Sequence, residues 1–495
     1  MRKIYAIGVG GSGAKCVEAA IFLHSLGLYG ENSELKILLV DADTSNGNSQ
    51  RTGVNFRTTD DAQKAFGQGK SPLMGGQFFH YGTWNPLGDQ IHNTNLAAVF
   101  NKQALRAGAP PLAKLFDALY SPAEQNADLG VGFRGRPPIG SAVMSRLELN
   151  SLGQTQAGGW QQLFNNLTTD LGVGHGDEVV VHFFGSIFGG TGASGVPTLA
   201  KLVSNQLKEG GLQVRIHASL LLPYFAFERP DDGDQTVFAE TRFFALNTQA
   251  ALQYLTEQSE GCFDSVYLIG DNAQTRYDSH TGGKNQENGA HFVELYAALA
   301  ANHGFGQPMG ETVAHYISKA DINSLIWTDL PDSETAKLAL SKGVKFAYAW
   351  FYNFSLELEA ARKLGGKKFA KGAPWFQQFF ALRSGEGDKP LVDNAQEVAK
   401  NDLLTAWAKK FLQWAQQVSS AHVNGEQLFQ LKHLDDLKQN PGYREHLHQL
   451  IIDKERSQAA QSGDRLDNIK NRLADEGRSY DNGVFGLAHA LFALL

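Results

Sequence analysis

Two glycine-rich stretches carry the clearest chemistry in the chain. The first is Gly8-Val9-Gly10-Gly11-Ser12-Gly13, preceded by KIYAIGV and followed by AKCVEAAIFLHSL. The run before it reads as a strand and the run after it has helical apolar spacing, so the glycines fall where a strand turns into a helix. Backbone N–H groups at such a turn, aided by the helix dipole, hold phosphate oxygens, and glycine lets the chain approach the anion closely. The second stretch, Gly185-Ser186-Ile187-Phe188-Gly189-Gly190-Thr191-Gly192-Ala193-Ser194-Gly195, likewise leaves the strand EVVVHFFGS and opens the helix ASGVPTLAKLVSNQL. Alone, the first loop satisfies GxGxxG, and Asp41 ends the next strand at a spacing suited to a ribose hydroxyl, which leaves an NAD-type oxidoreductase open. Such a unit has no use for a second glycine loop. Two phosphate cradles on separate βα units suit one triphosphate gripped from both sides.

A third loop runs from Gly130 to Gly140 and carries Arg134 and Arg136, which either offer forked donors to phosphate oxygens or simply face solvent. Asn285, Asn288 and His291 precede an apolar-faced helix. Amides carry both donor and acceptor and can pair with a purine edge; a turn followed by a helix N-cap is the alternative. Gly69-Lys70-Ser71 is no Walker loop, because Lys64 stands where the leading glycine is required. His446 and His448 sit two apart and point to different faces of a helix, and no HExxH, GxSxG or cysteine-pair pattern occurs, so no metal site made by the protein alone is expected.

The elements that must position these loops alternate. KILLVDAD, QVRIHASLLLP and FDSVYLIG read as strands, and FAETRFFALNTQAALQYL and AHFVELYAALAA as helices, the pattern of a mostly parallel sheet covered by helices. Between Thr44 and Asn126 glycines, prolines and amides interrupt every period, and only helical pieces are expected. A long helical stretch begins beyond Asp332. Within it Phe346, Tyr348, Trp350, Phe351 and Tyr352 read as helix, although the alternation of the first three leaves a strand open. From Lys367 the chain is richer in charge and glutamine with no clear strand, and Leu431–Arg478 reads as a solvated helical face or a partner-binding helix.

With 495 residues, 42% of them hydrophobic, the chain can bury one large core and a smaller second one. Its formal charge of -7 gives no basic footprint for nucleic acid or an anionic membrane. Cys16 and Cys262 are the only cysteines, which excludes a disulfide framework and fits a reducing, cytoplasmic location. The N-terminus lacks the pattern of a signal peptide, and no apolar run approaches the roughly 18 to 20 residues of a membrane span.

GGTGASG followed by Pro197 resembles the signature glycine loop of the tubulin/FtsZ GTPase superfamily, with one extra residue before the proline. IGVGGSG is similar to that family's first phosphate loop, and DADTSN to its second, near phosphates and metal. The 130–140 loop shares the spacing GxGxxxxPxxG of the loop that closes over the terminal phosphate, its arginines being an addition. Pro223-Tyr224-Phe225-Ala226-Phe227-Glu228 is similar to PFPFE, whose glutamate contacts the ribose. Asp329-Leu330-Pro331-Asp332 looks like the acidic stretch that one subunit inserts into the nucleotide site of the next, with Trp327 in register with the family's asparagine; a helix N-cap at Asp332 or Ser333 is the other reading.

The resemblance spans residues 1 to 350 and implies a diverged bacterial tubulin-like protein. Its fold would be α/β: a tubulin/FtsZ-like nucleotide-binding domain over 1–310, an acidic loop and long connecting helix over 311–366, and a mainly helical C-terminal region over 367–495. The family's usual second domain contains a β-sheet, which is not found here. The resemblance implies GTP or GDP with Mg2+, held by Gly10, Gly11, Ser12, Gly13, Asp41, Asp43, Thr44, Asn46, Arg134, Gly135, Arg136, Pro137, Gly189, Gly190, Thr191, Gly192, Ala193, Ser194 and Glu228, with Asn285, Asn288 and His291 at the base. It further implies Asp329 and Asp332 as catalytic residues acting on a neighbouring copy in a homo-oligomer or filament. A switch or adaptor that binds an unidentified protein through its C-terminal region, with little turnover, is the second expectation.

Overall fold

The computed structural model describes all residues except 31, 67–70, 89–93, 148–157, 173–175, 229–238, 259–260, 273–274, 279, 281, 317–325, 386, 422–427, 432–444, 454–462 and 476–480. Gly69 and Lys70 and most of the Leu431–Arg478 stretch therefore lie outside the described residues.

Seven parallel strands form one sheet in the order β3-β2-β1-β4-β5-β7-β9. They are β1 (Arg2–Val9), β2 (Glu34–Val40), β3 (Gln77–Trp84), β4 (Glu178–Ser186), β5 (Arg215–Leu221), β7 (Ser265–Ile269) and β9 (Val313–His315). A separate parallel pair joins β6 (Phe225–Phe227) to β8 (Thr275–Tyr277). The central strands are apolar because both faces are covered. In β1, Ile4 and Ala6 enter one core and Tyr5, Ile7 and Val9 the other, as period-two alternation requires.

The first core is closed by α1 (Gly10–Ser25), α2 (Gly47–Phe66), α7 (Phe292–His303), α8 (Ser333–Ala349) and α9 (Ala395–Ser420). The second lies under α4 (Gly158–Gly172), α5 (Gly190–Glu209) and α6 (Phe244–Gln258), while α3 (Pro137–Met144) belongs to a small third cluster. The chain lays down β1, β2 and β3 in one direction, then β4, β5, β7 and β9 in the other. The order reverses between β1 and β4, where an open α/β sheet leaves a crevice at the carboxyl ends of its strands.

The stretch after Thr44 holds more order than its sequence suggests: the 20-residue α2 and the strand β3. The aromatic run is helical, α8 passing through a π-helical turn, Trp350–Phe354, into a helix at Ser355–Leu364. The C-terminal region is helical among the described residues, with α9, a helix at Leu466–Leu473, α10 (Gly483–Leu494) and only isolated bridges between extended segments. It packs on α1, where Phe22 meets Phe411 edge to face at 5.6 Å. No described helix is long and apolar enough to cross a membrane.

Candidate functional site

The carboxyl ends of β1, β2 and β4 are in register, Val9 standing beside Val40 and Gly185, so the loops that follow emerge together at the switch point. The first turns directly into α1 and the second into α5. Neither helix has a side chain capping its N-terminus, and neither carries an acid in its first turn. Two sets of orphan N–H groups are thereby available to an anion. Gly10 adopts φ +75°, and a β-carbon there would stand 3.2 Å from Cβ of Thr191. One on Gly192 would collide with the Ser186 carbonyl. The cleft between the loops encloses about 840 Å³, its open mouth included.

Gly10, Gly11 and Ser12 from the first loop and Gly189, Gly190, Thr191 and Gly192 from the second line this cleft. Gly13 instead packs against the Phe184 carbonyl, and Ala193 and Ser194 lie within α5, where Ser194 Oγ donates to the Gly190 carbonyl.

The loop after β2 contributes Asp41, Asp43 and Asn46, while Thr44 is exposed outside the lining. Asp43 Oδ1 accepts from Ser45 N–H at 3.0 Å and Oδ2 from Gly283 N–H at 2.6 Å. Asp41 Oδ1 accepts from Asp43 N–H at 3.1 Å, but its buried Oδ2 has no hydrogen-bond partner among the described residues. Burial, with the charge of Asp43 adding to it, lifts the Asp41 carboxyl to about 7 against the backbone N–H groups and the Ser49 hydroxyl, which oppose the shift. An orphaned carboxylate oxygen beside a second acid fits magnesium, which takes one or two carboxylates and completes its shell with phosphate and water. Among the described residues no group of three or more His, Cys, Asp or Glu forms a protein-only metal cage.

From the 130–140 loop, Arg134 and Gly135 line the cleft, Arg134 at φ +49° with Nε donating to the Asp128 carbonyl. Arg136 does not. Its Nη2 pairs with Glu240 Oε1 at 2.9 Å and its guanidinium lies 4.9 Å from the Phe243 ring centroid. Pro137 opens α3, where its missing N–H costs nothing. Asn247 Nδ2 bonds the carbonyls of Phe188 and Gly135, which ties the second loop to the third.

The base-end residues divide. Asn288 lines the cleft beside Asn48 and Gln286, whereas Asn285 is exposed and His291 is buried as the N-cap of α7, Glu294 completing a capping box. Glu228 is exposed and lies outside the lining. Sequence reasoning missed an aromatic wall of Phe188, Phe225, Phe227 and Phe244, with ring centroids 4.7 to 6.1 Å apart. It also missed Asn48 and Gln286. The signal available was limited to Phe188, which adjoins Gly189; Phe225, Phe227 and Phe244 stand beside no glycine.

Asp329 and Asp332 lie at the other pole. Asp332 starts α8 at φ +48° and its Oδ2 accepts from Asn302 Nδ2 at 3.3 Å; Asn302 Oδ1 accepts from Arg2, at the amino end of β1. Asp329 Oδ2 accepts from Ile326 N–H at 2.9 Å. The length of α7, about 18 Å for 12 residues, separates this loop from the cleft. Trp327 points inward, with Nε1 donating to the Ile452 carbonyl at 2.8 Å.

No family model and no curated protein matches the chain. Among solved structures it is similar to CetZ2 from Haloferax volcanii in a GTPγS-bound protofilament, at 16% identity, over 62% of this chain and 59% of that one, with a TM-score of 0.29. The match thus spans a little under three-fifths of the length of that protein.

Proposed function

We propose that the cleft binds a guanosine triphosphate with magnesium, and that the chain self-associates head to tail so that Asp329 and Asp332 of one copy complete hydrolysis in the next. The observation that carries the nucleotide reading is the pair of uncapped helix N-termini meeting at one switch point with Gly10 against Thr191. A dinucleotide enzyme would leave the second of these loops unused. The glycine loops, amides and acids resemble the tubulin/FtsZ signatures in the same order along the chain.

Within this reading, N–H groups of the first and second loops hold phosphate oxygens, and Asp41 and Asp43 hold the magnesium. The metal, when bound, spreads charge that develops on the phosphates. The amides of Asn48 and Asn288 face the nucleoside, and the phenylalanine wall excludes water on the other side. The acids at the far pole cannot reach the cleft of their own chain, so orienting a water toward the terminal phosphorus, with GDP leaving as the bond to the bridging oxygen breaks, requires a second copy.

GTP and ATP binding and phosphate release, measured across protein concentrations with magnesium and alongside pelleting, test this. For wild type, specific activity is expected to rise with concentration, and in Asp329→Ala/Asp332→Ala it is expected to vanish while binding survives. Tight binding with flat, negligible turnover would instead favour a nucleotide-gated adaptor. The inward-facing Trp327, in place of the family's asparagine, supports that second reading.

A further inference from the structure

Three buried charges and the partly buried Arg51 lie behind the cleft, on three helices that meet there. Lys15 of α1 pairs with Glu294 of α7 at 2.5 Å, each side chain 1% exposed. Glu18, one turn along α1 and equally buried, receives Nε and Nη2 of Arg51 from α2 at 2.9 Å each. The four formal charges cancel. Stability alone does not explain such a quartet, because desolvation costs several kcal/mol per ion and apolar residues of similar volume commonly do as well or better.

What distinguishes the quartet is its direct bonding to the nucleoside side of the cleft. Arg51 Nη1 donates to the Asn288 carbonyl at 2.7 Å, and Asn288 N–H donates to Asn48 Oδ1 at 2.8 Å, both asparagines lining the cleft. Glu294 Oε2 accepts from His291 N–H at 2.6 Å and so fixes the start of α7. Its Oε1 accepts from the Tyr224 hydroxyl at 2.5 Å, and Lys15 stands on α1 two residues after Gly13 of the first glycine loop. No bond from the four charges reaches the second glycine loop among the described interactions.

We propose that Lys15, Glu18, Arg51 and Glu294 are positioning residues for the nucleoside end of the ligand, setting the Asn48–Asn288 amide wall and the start of α7 relative to the first phosphate loop. The proposal rests on the nucleotide reading above. It separates two parts of one site: the glycine loops grip phosphates by backbone geometry, whereas the wall that faces the nucleoside is held by ion pairs.

The test compares GTP with inorganic tripolyphosphate, which engages only the phosphate loops, by calorimetric titration in magnesium. The proteins are wild type, Lys15→Met/Glu294→Gln and Arg51→Lys; the last keeps the charge but loses both the two-pronged grip on Glu18 and the bond to Asn288. GTP affinity is expected to fall at least tenfold in each variant while tripolyphosphate affinity changes less than threefold. Equal weakening of both ligands, or no change in either, overturns the proposal. Should the double variant fail to fold, Arg51→Lys decides. A wild-type protein that binds neither ligand refutes the nucleotide reading itself, whereas one that binds GTP and gives equal losses in the variants refutes only the positioning role.

Discussion

Gly10 and Thr191, on loops that follow different strands, approach so closely that a β-carbon on the glycine would stand 3.2 Å from that of the threonine. Gly10 also needs φ +75°, where a side chain costs about 1 to 3 kcal/mol. Gly10→Ala is therefore expected to lower stability by that amount and to weaken triphosphate binding at least tenfold by forcing the two loops apart. Denaturant melts and nucleotide titrations check both. Unchanged binding would mean that the two loops do not act on one ligand.

The Arg136–Glu240 pair joins the third loop to the segment that opens α6, and both side chains are partly exposed, at 24% and 18%. Glu240→Gln is expected to cost little stability, within about 1 kcal/mol, but to raise the release rate of a fluorescent GTP analogue severalfold, since the tie between the third loop and the start of α6 is loosened. Stopped-flow displacement reads this. Slower release would mean that the freed Arg136 binds phosphate and that Glu240 restrains it.

Trp327 stands 7% exposed, its ring 5.6 Å from that of Phe429 and its Nε1 on the Ile452 carbonyl. Trp327→Asn removes a buried ring and is expected to cost about 3 kcal/mol. It is also expected to leave phosphate release unchanged below the assembly concentration, because position 327 faces the C-terminal region. Gain of turnover in dilute protein would place position 327 in the catalytic machinery.

The parts of the site made by backbone geometry were legible in sequence. A strand-to-helix turn that must admit an anion leaves little choice but glycine, and acids at a strand's carboxyl end have few other uses. The parts made by side-chain packing were not. The buried face of α2 mixes Asn48, Thr52, Asn55 and Thr59, polar residues bonded to their neighbours, with Phe56, Ala62 and Phe66, so its apolar period is broken. The strand β3 is an edge strand with half-exposed positions and Gly82 at φ +89°. Phenylalanines 188, 225, 227 and 244 have the composition of any core. Arg136 finds its partner 104 residues away, and two residues separate the exposed Asn285 from the cleft-lining Asn288, distinctions that only the folded chain makes.

Asp41 makes stability depend on pH. Its folded pKa of about 7 lies above the ordinary value of 3.8, so the folded state favours the protonated form. The stability this confers is complete below about 4, falls as pH rises, and is gone above about 7. At pH 8 the ionised carboxyl is a cost to the empty protein that a bound cation offsets. Asp41→Asn is therefore expected to raise Tm by a few degrees at pH 8, to change it little near pH 4.5, and to weaken magnesium-dependent nucleotide binding. Lower stability at pH 8 in the variant would show that Asp41 is a structural acid.

Three buried histidines act in the opposite sense. Burial holds His24 and His217 at about 4 and His182 well below the ordinary 6.5; the Ser33 carbonyl opposes the shift at His24 and Asp264 opposes it at His217, where Arg215, His315 and His303 add to it. The unfolded chain protonates these rings from about 6.5, so stability present above that pH is lost as pH falls toward 4, at about 1.4 kcal/mol per pH unit for each ring. Asp41 works against this loss over the same window, so the slope is read most clearly in Asp41→Asn. Among the described residues neither ring nitrogen of His217 has a hydrogen-bond partner, and His217→Leu removes one titrating ring without stranding another of their polar groups. In Asp41→Asn/His217→Leu, stability measured by denaturant melts from pH 7.5 to 5 is expected to fall less steeply, by about one histidine's share, and to exceed the parent at pH 5. An identical slope in the two proteins would show that His217 titrates in the folded state as it does in the unfolded chain.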